Sequence, residues 1–211
     1  MKVTVASPTG ESVLVPFPHG ASRRAVAVAS QFRSTWLSSS LRALRERDLL
    51  AQYLEYLPEE LHESVLSTVV GVWLPASTAV AHYEACDRLK LPSSDILAIG
   101  RDVTRQVHGT MLGLAFRLAK GVGVDPWTLL PRLPEMWSRI WIGGGVSIIK
   151  LGPKEARIEI AGWACARTAY CRVAMRGILS ALVELFCQKS YAKELSALCT
   201  PMTLGYRLSW V

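Results

Sequence analysis

Residues 145–160 read GVSIIKLGPKEARIEI, and this stretch decides the class of fold. Up to Lys150, and again from Ala156, apolar side chains recur at every second position, which is the period of a β-strand. Gly152-Pro153-Lys154 separates the two runs and favours a turn. We therefore predict an antiparallel β-hairpin with one buried face.

A helix and a strand are predicted after the hairpin. Residues 167–188 carry apolar side chains three or four positions apart, which indicates a buried helix. The face that these side chains share consists of Tyr170, Val173, Ala174, Gly177, Ile178, Ala181 and Leu185. Residues 204–210 alternate between apolar and small or polar side chains, which predicts a terminal strand. The C-terminal half is thus expected to read strand, strand, helix, strand.

Helical periodicity dominates the residues before the hairpin. The predicted helices begin near Ser34, Leu49, Pro58, Pro75, Pro92 and Asp125. The helix from Pro58 is expected to continue through Val72, because apolar residues recur at helical spacing up to that point. The helix from Pro92 is the longest, with an apolar stripe as far as Leu118. Gly109 and Gly113 in this helix would let a neighbouring element approach closely.

These elements predict an α+β fold. Because strands and helices do not alternate regularly, a parallel doubly wound sheet is not expected. Instead, a helical N-terminal half should pack on a small antiparallel sheet formed by the C-terminal half. Residues 1–33 are interpreted as an appendage with a hairpin over 1–17, since Pro8-Thr9-Gly10 favours a turn between two apolar runs. Residues 34–211 are expected to form a single domain.

The composition limits the classes of partner. The 211 residues carry a formal net charge of +7, so an acidic partner such as a nucleic acid or an anionic membrane is one alternative. However, the basic residues are scattered and do not form the continuous runs that mark nucleic-acid patches, which favours a solvated basic surface. No signal peptide opens the chain and no apolar stretch is long enough to span a bilayer. We therefore expect a cytoplasmic protein without a transmembrane segment.

The sequence has no recognisable catalytic or metal-binding motif. Its five cysteines are odd in number and have no CxxC spacing, which favours reduced, buried thiols. His82 and Cys86 lie four apart, and we interpret them as a core histidine beside a core thiol rather than half a metal site. The triple glycine 143–145 precedes a strand and not a helix, which favours a close-approach turn over a phosphate loop. We expect no enzyme activity, no cofactor and no metal.

An aromatic and basic group of residues is the candidate ligand-binding site. Trp137 and Trp141 lie four apart, flanked by Arg132 and Arg139; such sets bind ligands, or else anchor a helix on a sheet. His108 lies beside the apolar stripe of the longest predicted helix, either as a core histidine or as the lining of a pocket between helices. The complete candidate set is His108, Phe116, Arg132, Trp137, Arg139, Trp141 and Tyr170.

Part of the chain resembles a known superfamily. Residues 169–179 (AYCRVAMRGIL), Cys199 and residues 204–210 (LGYRLSW) resemble the closing segment of the heme-NO-binding and 4-vinyl-reductase-type superfamily, whose fold is shared with TRAPP vesicle-tethering subunits. Residues 99–101 (IGR) and 109–113 (GTMLG) are more similar to an uncharacterised paralogous domain family of myxobacteria that is related to the same superfamily. The resemblance covers roughly residues 65–211 and implies this fold.

The chain departs from the heme-binding branch of that superfamily. That branch has a proximal histidine on the helix before the hairpin and a Tyr-x-Ser-x-Arg motif for the heme propionates. Here residues 109–211 contain no histidine, and residues 146–150 read VSIIK. The vinyl-reductase branch is rich in cysteines near its C-terminus, and this chain has only Cys187 and Cys199 there. The resemblance therefore implies the fold and a pocket, but not heme.

Three functions remain as alternatives. The favoured one is a non-enzymatic binding or regulatory module in signalling, which holds a small apolar ligand between the helices and the sheet or binds a partner. The second is a structural or interaction protein that tethers partners, or that dimerises through the leucine face of residues 34–57. The third, a binder of an anionic surface such as nucleic acid or membrane, is favoured least.

Overall fold

The computed structural model describes residues 11–107 and 125–211. The helices in the first range are α1 (Ser34–Arg45), α2 (Leu50–Tyr56), α3 (His62–Leu66), α4 (Ala76–Arg88) and α5 (Ser93–Val107). The helices in the second range are α6 (Pro126–Leu129), α7 (Leu133–Ile140) and α8 (Ala169–Val183). The strands are β1 (Ser12–Val15), β2 (Gln31–Arg33), β3 (Trp73–Pro75), β4 (Trp141–Ile142), β5 (Gly145–Gly152), β6 (Glu155–Ala161), β7 (Ser190–Glu194) and β8 (Thr203–Trp210).

A five-stranded antiparallel sheet lies at the centre of the fold, with the strand order β1-β5-β6-β8-β7. The predicted hairpin is confirmed, because β5 and β6 pair with Ile148 opposite Ile158. The predicted terminal strand is confirmed as well: β8 pairs with β6 and places Tyr206 opposite Ile158. The α+β class predicted from the sequence is therefore confirmed, and β1 adds a strand from the N-terminal residues to the sheet.

Both faces of the sheet are buried around β5 and β6, so the prediction of a single buried face was wrong. Residues 17–26 cover the second face, where Phe17 and Val26 pack against Ala161. The Glu159 carboxylate is buried on this face and forms ion pairs with Arg23 and Arg157. A buried carboxylate requires such partners, because an unpaired buried charge is costly.

Two helices, α5 and α8, cross at very short range on the other face of the sheet. An added Cβ at Gly177 would meet the Leu97 backbone of α5, and one at Gly100 would meet the Ala174 backbone of α8. Glycine is required at these positions because the backbones leave no room for a side chain. The predicted close approach at Gly109 and Gly113 lies outside the described residues.

The helix predicted from Pro58 to Val72 was too long. It ends at Leu66 of α3, and the next residues form a loop that leads into β3. The hydroxyl of Ser34 holds this loop, since it donates to the Val69 carbonyl and accepts hydrogen bonds from the amides of Gly71 and Val72. A side chain distant in sequence thus satisfies backbone groups that a helix would otherwise have paired.

The leucine face of residues 34–57 does not form a surface. Leu37, Leu41 and Leu44 of α1 are buried in the core of the same chain. These three leucines therefore do not form the predicted dimer contact, while dimerisation itself stays a prediction.

Strand β7 and the small sheet β3-β2-β4 have no counterpart among the elements predicted from the sequence. The first strand of the predicted hairpin over residues 1–17 lies outside the described residues, while β1 pairs with β5. The boundary at residue 33 stays a prediction, because it concerns independent folding. None of the helices within residues 11–107 and 125–211 is both long and apolar enough to cross a membrane.

Candidate ligand-binding cavity

A cavity of about 370 Å³ lies between the sheet, α7 and α8. The sheet contributes Val146, Ile158 and Ile160 to its described lining. Helix α8 contributes Met175, Ile178, Leu179 and Leu182. These four positions follow the spacing of three and four residues that places side chains on one side of a helix. Most of the described lining is therefore apolar.

Helix α7 and the following strand close the cavity with aromatic side chains. The rings of Trp137 and Trp141 stack, with centroids 5.7 Å apart and planes 21° from parallel. Trp163 packs edge-on against both rings, at 5.3 and 5.4 Å. The indole N–H of Trp137 donates a hydrogen bond to the Gly143 carbonyl over 3.0 Å. This bond and the ring contacts fix the orientation of the two tryptophans that line the cavity.

A second cavity of about 420 Å³ borders the same tryptophan pair. Trp137, Trp141 and Val146 line both cavities. These three side chains therefore belong to the walls of both spaces.

The glycines at 143–145 form the close-approach turn that the sequence predicts. Gly143 and Gly144 have φ of 86° and 65°, a region that favours glycine. The Gly144 amide donates to the Ala27 carbonyl over 2.7 Å, and the Ala29 amide donates to the Gly162 carbonyl over 2.7 Å. An added Cβ at Gly143 or at Gly162 would collide with the backbone of residues 27–29. The turn holds the end of β5 against the N-terminal segment.

Polar side chains are few in the described lining, and they include two arginines, Arg33 and Arg139. The side chain of Arg139 is 65% exposed and pairs with Glu135 over 2.6 Å. Arg33 is half-buried, and its Nη1 donates to the Gly71 carbonyl over 2.5 Å. Thr104 lines the cavity too, but its hydroxyl donates to the Gly100 carbonyl within α5.

The structure brings three of the predicted site residues together and places two elsewhere. Trp137, Arg139 and Trp141 line the cavity. Arg132 is exposed and does not line it. Tyr170 is buried in the core, where its amide donates to Asp87 over 2.7 Å. The other two candidates, His108 and Phe116, lie outside the described residues.

The pair His82 and Cys86 belongs to a buried polar cluster, as the core interpretation predicted. The two ring nitrogens of His82 form hydrogen bonds with the hydroxyls of Tyr53 and Ser40, over 2.8 and 2.9 Å. Burial lowers the pKa of His82 to about 3 and raises the pKa of the Cys86 thiol. Within residues 11–107 and 125–211, no three histidine, cysteine or acidic side chains group as metal ligands.

The arrangement of helices and strands is that of the H-NOX domains. A variant of the Fe(II) unliganded H-NOX protein from K. algicida aligns over 85% of this chain and 96% of its own, with a TM-score of 0.61 and 11% identity. The parent H-NOX protein aligns over 85% of this chain and 96% of its own, with a TM-score of 0.59 and 10% identity. A third similar structure is the oxygen complex of an oxygen-binding H-NOX domain related to soluble guanylate cyclases. It aligns over 84% of this chain and 94% of its own, with a TM-score of 0.56 and 10% identity.

Identities this low show similarity of fold alone. No protein-family profile matches the sequence, and no curated protein matches it. The resemblance to the heme-NO-binding part of the superfamily is thus confirmed for the fold. Its narrower form, a particular relation to the myxobacterial domain family, stays a prediction.

The described lining alone supplies no side chain of the kind that usually holds a heme iron. Heme iron in proteins is held by histidine, cysteine or tyrosine, or by methionine together with histidine. The described lining contains none of the first three and offers only the thioethers of Met136 and Met175. The described residues of the cavity suit an apolar organic molecule.

Sequence reasoning missed several lining residues. Met175, Ile178, Leu179 and Leu182 have a helical spacing that could have identified one face, but the sequence does not show that this face borders a space. Arg33 carried no signal, because its position depends on the pairing of β2 with β3 and β4.

Proposed function

We propose that this protein is a non-enzymatic binding module that takes up a small apolar ligand in the 370 Å³ cavity and serves as a sensor or regulatory domain. The observation that carries the proposal is this apolar cavity inside an H-NOX-type fold. Cavities of about 300–1,000 Å³ with apolar walls and a few polar groups are typical of small-molecule sites.

The driving force for binding would be the burial of apolar surface. Transfer of such surface out of water contributes roughly 25 cal/mol per Å². A ligand would also supply contacts that the lining side chains of α8 lack while the cavity is empty. Both effects favour a molecule with a large apolar part.

The ligand differs in class from those of the structural neighbours. One neighbour is an oxygen-binding H-NOX domain. Because the described lining offers no histidine, cysteine or tyrosine for an iron atom, we propose an organic ligand that is bound directly by the side chains.

The stacked pair of Trp137 and Trp141 offers a route by which ligand binding could change the conformation of the protein. Trp137 and Trp141 line the cavity and stack on each other, and Trp141 also stacks on Phe32 of β2 at 5.4 Å. A ligand that prefers one packing of these rings would shift the population of conformations by its difference in affinity. The same rings would report binding through their fluorescence.

Native mass spectrometry with an absorbance scan of the purified chain tests for a bound molecule. A titration with N-phenyl-1-naphthylamine, a neutral apolar dye, tests the cavity itself. The variant Ile178→Trp should weaken dye binding on the order of 10-fold, because the indole occupies the space. Ile142→Trp makes the same change at an exposed side chain outside the cavity and should leave dye binding unchanged. Equal dye affinity in both variants would contradict the proposal.

A second candidate function is self-association through an exposed apolar segment. Val69 and Val70 are 70% and 64% exposed, and Leu66 and Val72 are exposed beside them. Contiguous exposed apolar residues mark interaction surfaces in soluble proteins. Light scattering over a concentration series tests this function: a dimer that is lost in a Val69→Ser, Val70→Ser double variant supports it, and a monomer throughout excludes it.

A further inference from the structure

The positive charge of Arg33 has no carboxylate partner. All 17 acidic residues of the chain lie in the described ranges, and none of the ion pairs among them includes Arg33. The other lining arginine, Arg139, is already paired with Glu135. No described lining residue is acidic. Among the described lining residues, Arg33 is therefore a cation that no carboxylate of the protein neutralises.

The charge of Arg33 is partly shielded from water. It lies in β2 at a half-buried site, and its guanidinium carbon is 4.2 Å from the centroid of the Trp73 ring. A half-buried charge is less well solvated than an exposed one, so a counter-ion close to it is favourable. The contact with the Trp73 ring is a cation–π interaction that favours this position of the guanidinium group.

Hydrogen-bonding capacity remains at the Arg33 guanidinium. It has five N–H donors, and its hydrogen bond within the described residues is the one to the Gly71 carbonyl. A planar guanidinium with free donors matches the two oxygens of a carboxylate, with which it can form paired hydrogen bonds. Thr35 lines the same cavity and adds a hydroxyl.

We propose that the ligand is an amphipathic monocarboxylate, whose acidic group pairs with Arg33 while its apolar part lies against α8 and the sheet. This inference rests on the function proposed above and specifies the chemical class of the ligand. It follows from one unpaired cation at the edge of an otherwise apolar cavity.

Three probes with the same alkyl chain test the inference on the full chain: decanoate, decan-1-ol and decylammonium, each measured by displacement of N-phenyl-1-naphthylamine. Decanoate should bind on the order of 10-fold more tightly than decan-1-ol, as expected for a charge-assisted hydrogen bond. Decylammonium should bind most weakly, because it places a second cation beside Arg33.

Variants then locate the charge. Arg33→Gln should remove the preference for decanoate over decan-1-ol. Arg42→Gln, the same change at an arginine that pairs with Glu46 and lies outside the described cavity lining, should keep it. An equal loss in both variants would overturn the assignment to Arg33. Circular dichroism shows whether Arg33→Gln folds. If it does not, the order of the three probe affinities on the unchanged protein still decides for or against an anionic ligand. The variant Arg33→Lys retains the positive charge but loses the paired hydrogen-bond geometry.

The outcomes separate the two proposals. Binding of decan-1-ol as tight as that of decanoate overturns the anionic class and supports the apolar cavity. Failure of every probe and of the dye to bind overturns both.

Discussion

Replacement of Gly177 by alanine should separate the two helices α5 and α8. An added Cβ at Gly177 would lie 3.1 Å from the carbonyl carbon of Leu97. Its distance to the carbonyl oxygen of Leu97 would be less than 3.0 Å, which is closer than Cβ atoms approach other atoms in real structures. The obstacle is backbone, so a rotamer change cannot relieve it. Overpacking of this kind costs about 1–3 kcal/mol, and we expect the upper end of that range.

Helix propensity opposes this cost. Alanine in a helix interior is about 1 kcal/mol more favourable than glycine. The net effect on the free energy of unfolding should therefore be a loss of about 2 kcal/mol. For a chain of this length, the corresponding decrease in the midpoint of thermal unfolding is about 4–8 °C.

Thermal and urea unfolding, followed by circular dichroism, measure this loss. Gly152→Ala is the matched control, because the atom nearest to an added Cβ there is the Glu155 Cβ at 3.8 Å. We expect the control to change stability by no more than about 0.5 kcal/mol, or to stabilise slightly. Dye affinity should also fall in Gly177→Ala, since α8 lines the cavity.

A Gly177→Ala variant at least as stable as the unchanged protein would refute the reasoning. Gly100→Ala provides an independent check from the other helix, where the added Cβ would meet the backbone of Ala174. If both variants are neutral, the close crossing of α5 and α8 does not determine stability.

Three further predictions concern single groups. Burial holds the pKa of His82 at about 3 instead of 6.5, so the unfolded chain takes up the proton first as the pH falls. The stability from this residue, complete above pH 6.5, should be lost by up to about 1.4 kcal/mol per pH unit between 6.5 and 3; His82→Gln should flatten that slope in urea titrations, and an unchanged slope argues against a buried neutral imidazole. The Thr168 side chain caps α8 by accepting a hydrogen bond from the Cys171 amide, so Thr168→Ala should cost about 1 kcal/mol and Thr168→Ser should not; equal stabilities would show the cap to be dispensable. Burial raises the pKa of the Cys86, Cys165 and Cys171 thiols, so these three should react with Ellman's reagent only after unfolding, and rapid reaction of all five cysteines in the native protein would disprove their burial.

The sequence predicts those elements whose periodicity is strong. The hairpin around residues 152–154 and the helix that became α8 have regular patterns, and both are present. The prediction that the Pro58 helix continues to Val72 was wrong, because residues 69–72 form a loop that is hydrogen-bonded to the Ser34 hydroxyl. Strand β7 was missed since only Ala192 within it is a buried apolar residue, and its conformation depends on pairing with β8.

The candidate site could be predicted only in part. Trp137 and Trp141 could be singled out because two tryptophans four residues apart, flanked by arginines, are an unusual combination of residue type and spacing. Arg33 and Ile178 could not, because a cavity arises from distances between elements that are far apart in sequence. The proposed role of Arg33 also depends on its having no carboxylate partner, and a sequence pattern does not show which charges are paired.

The close contacts of Gly143 and Gly162 with residues 27–29 have a consequence for how the sequence can vary. The contacts to residues 27–29 run through backbone amides and carbonyls, so they do not depend on which side chains occupy those three positions. Val28 is itself exposed. In a saturation mutagenesis experiment, residues 27 and 28 should therefore accept many replacements, while the two glycines, although they lie in turns, should accept almost none.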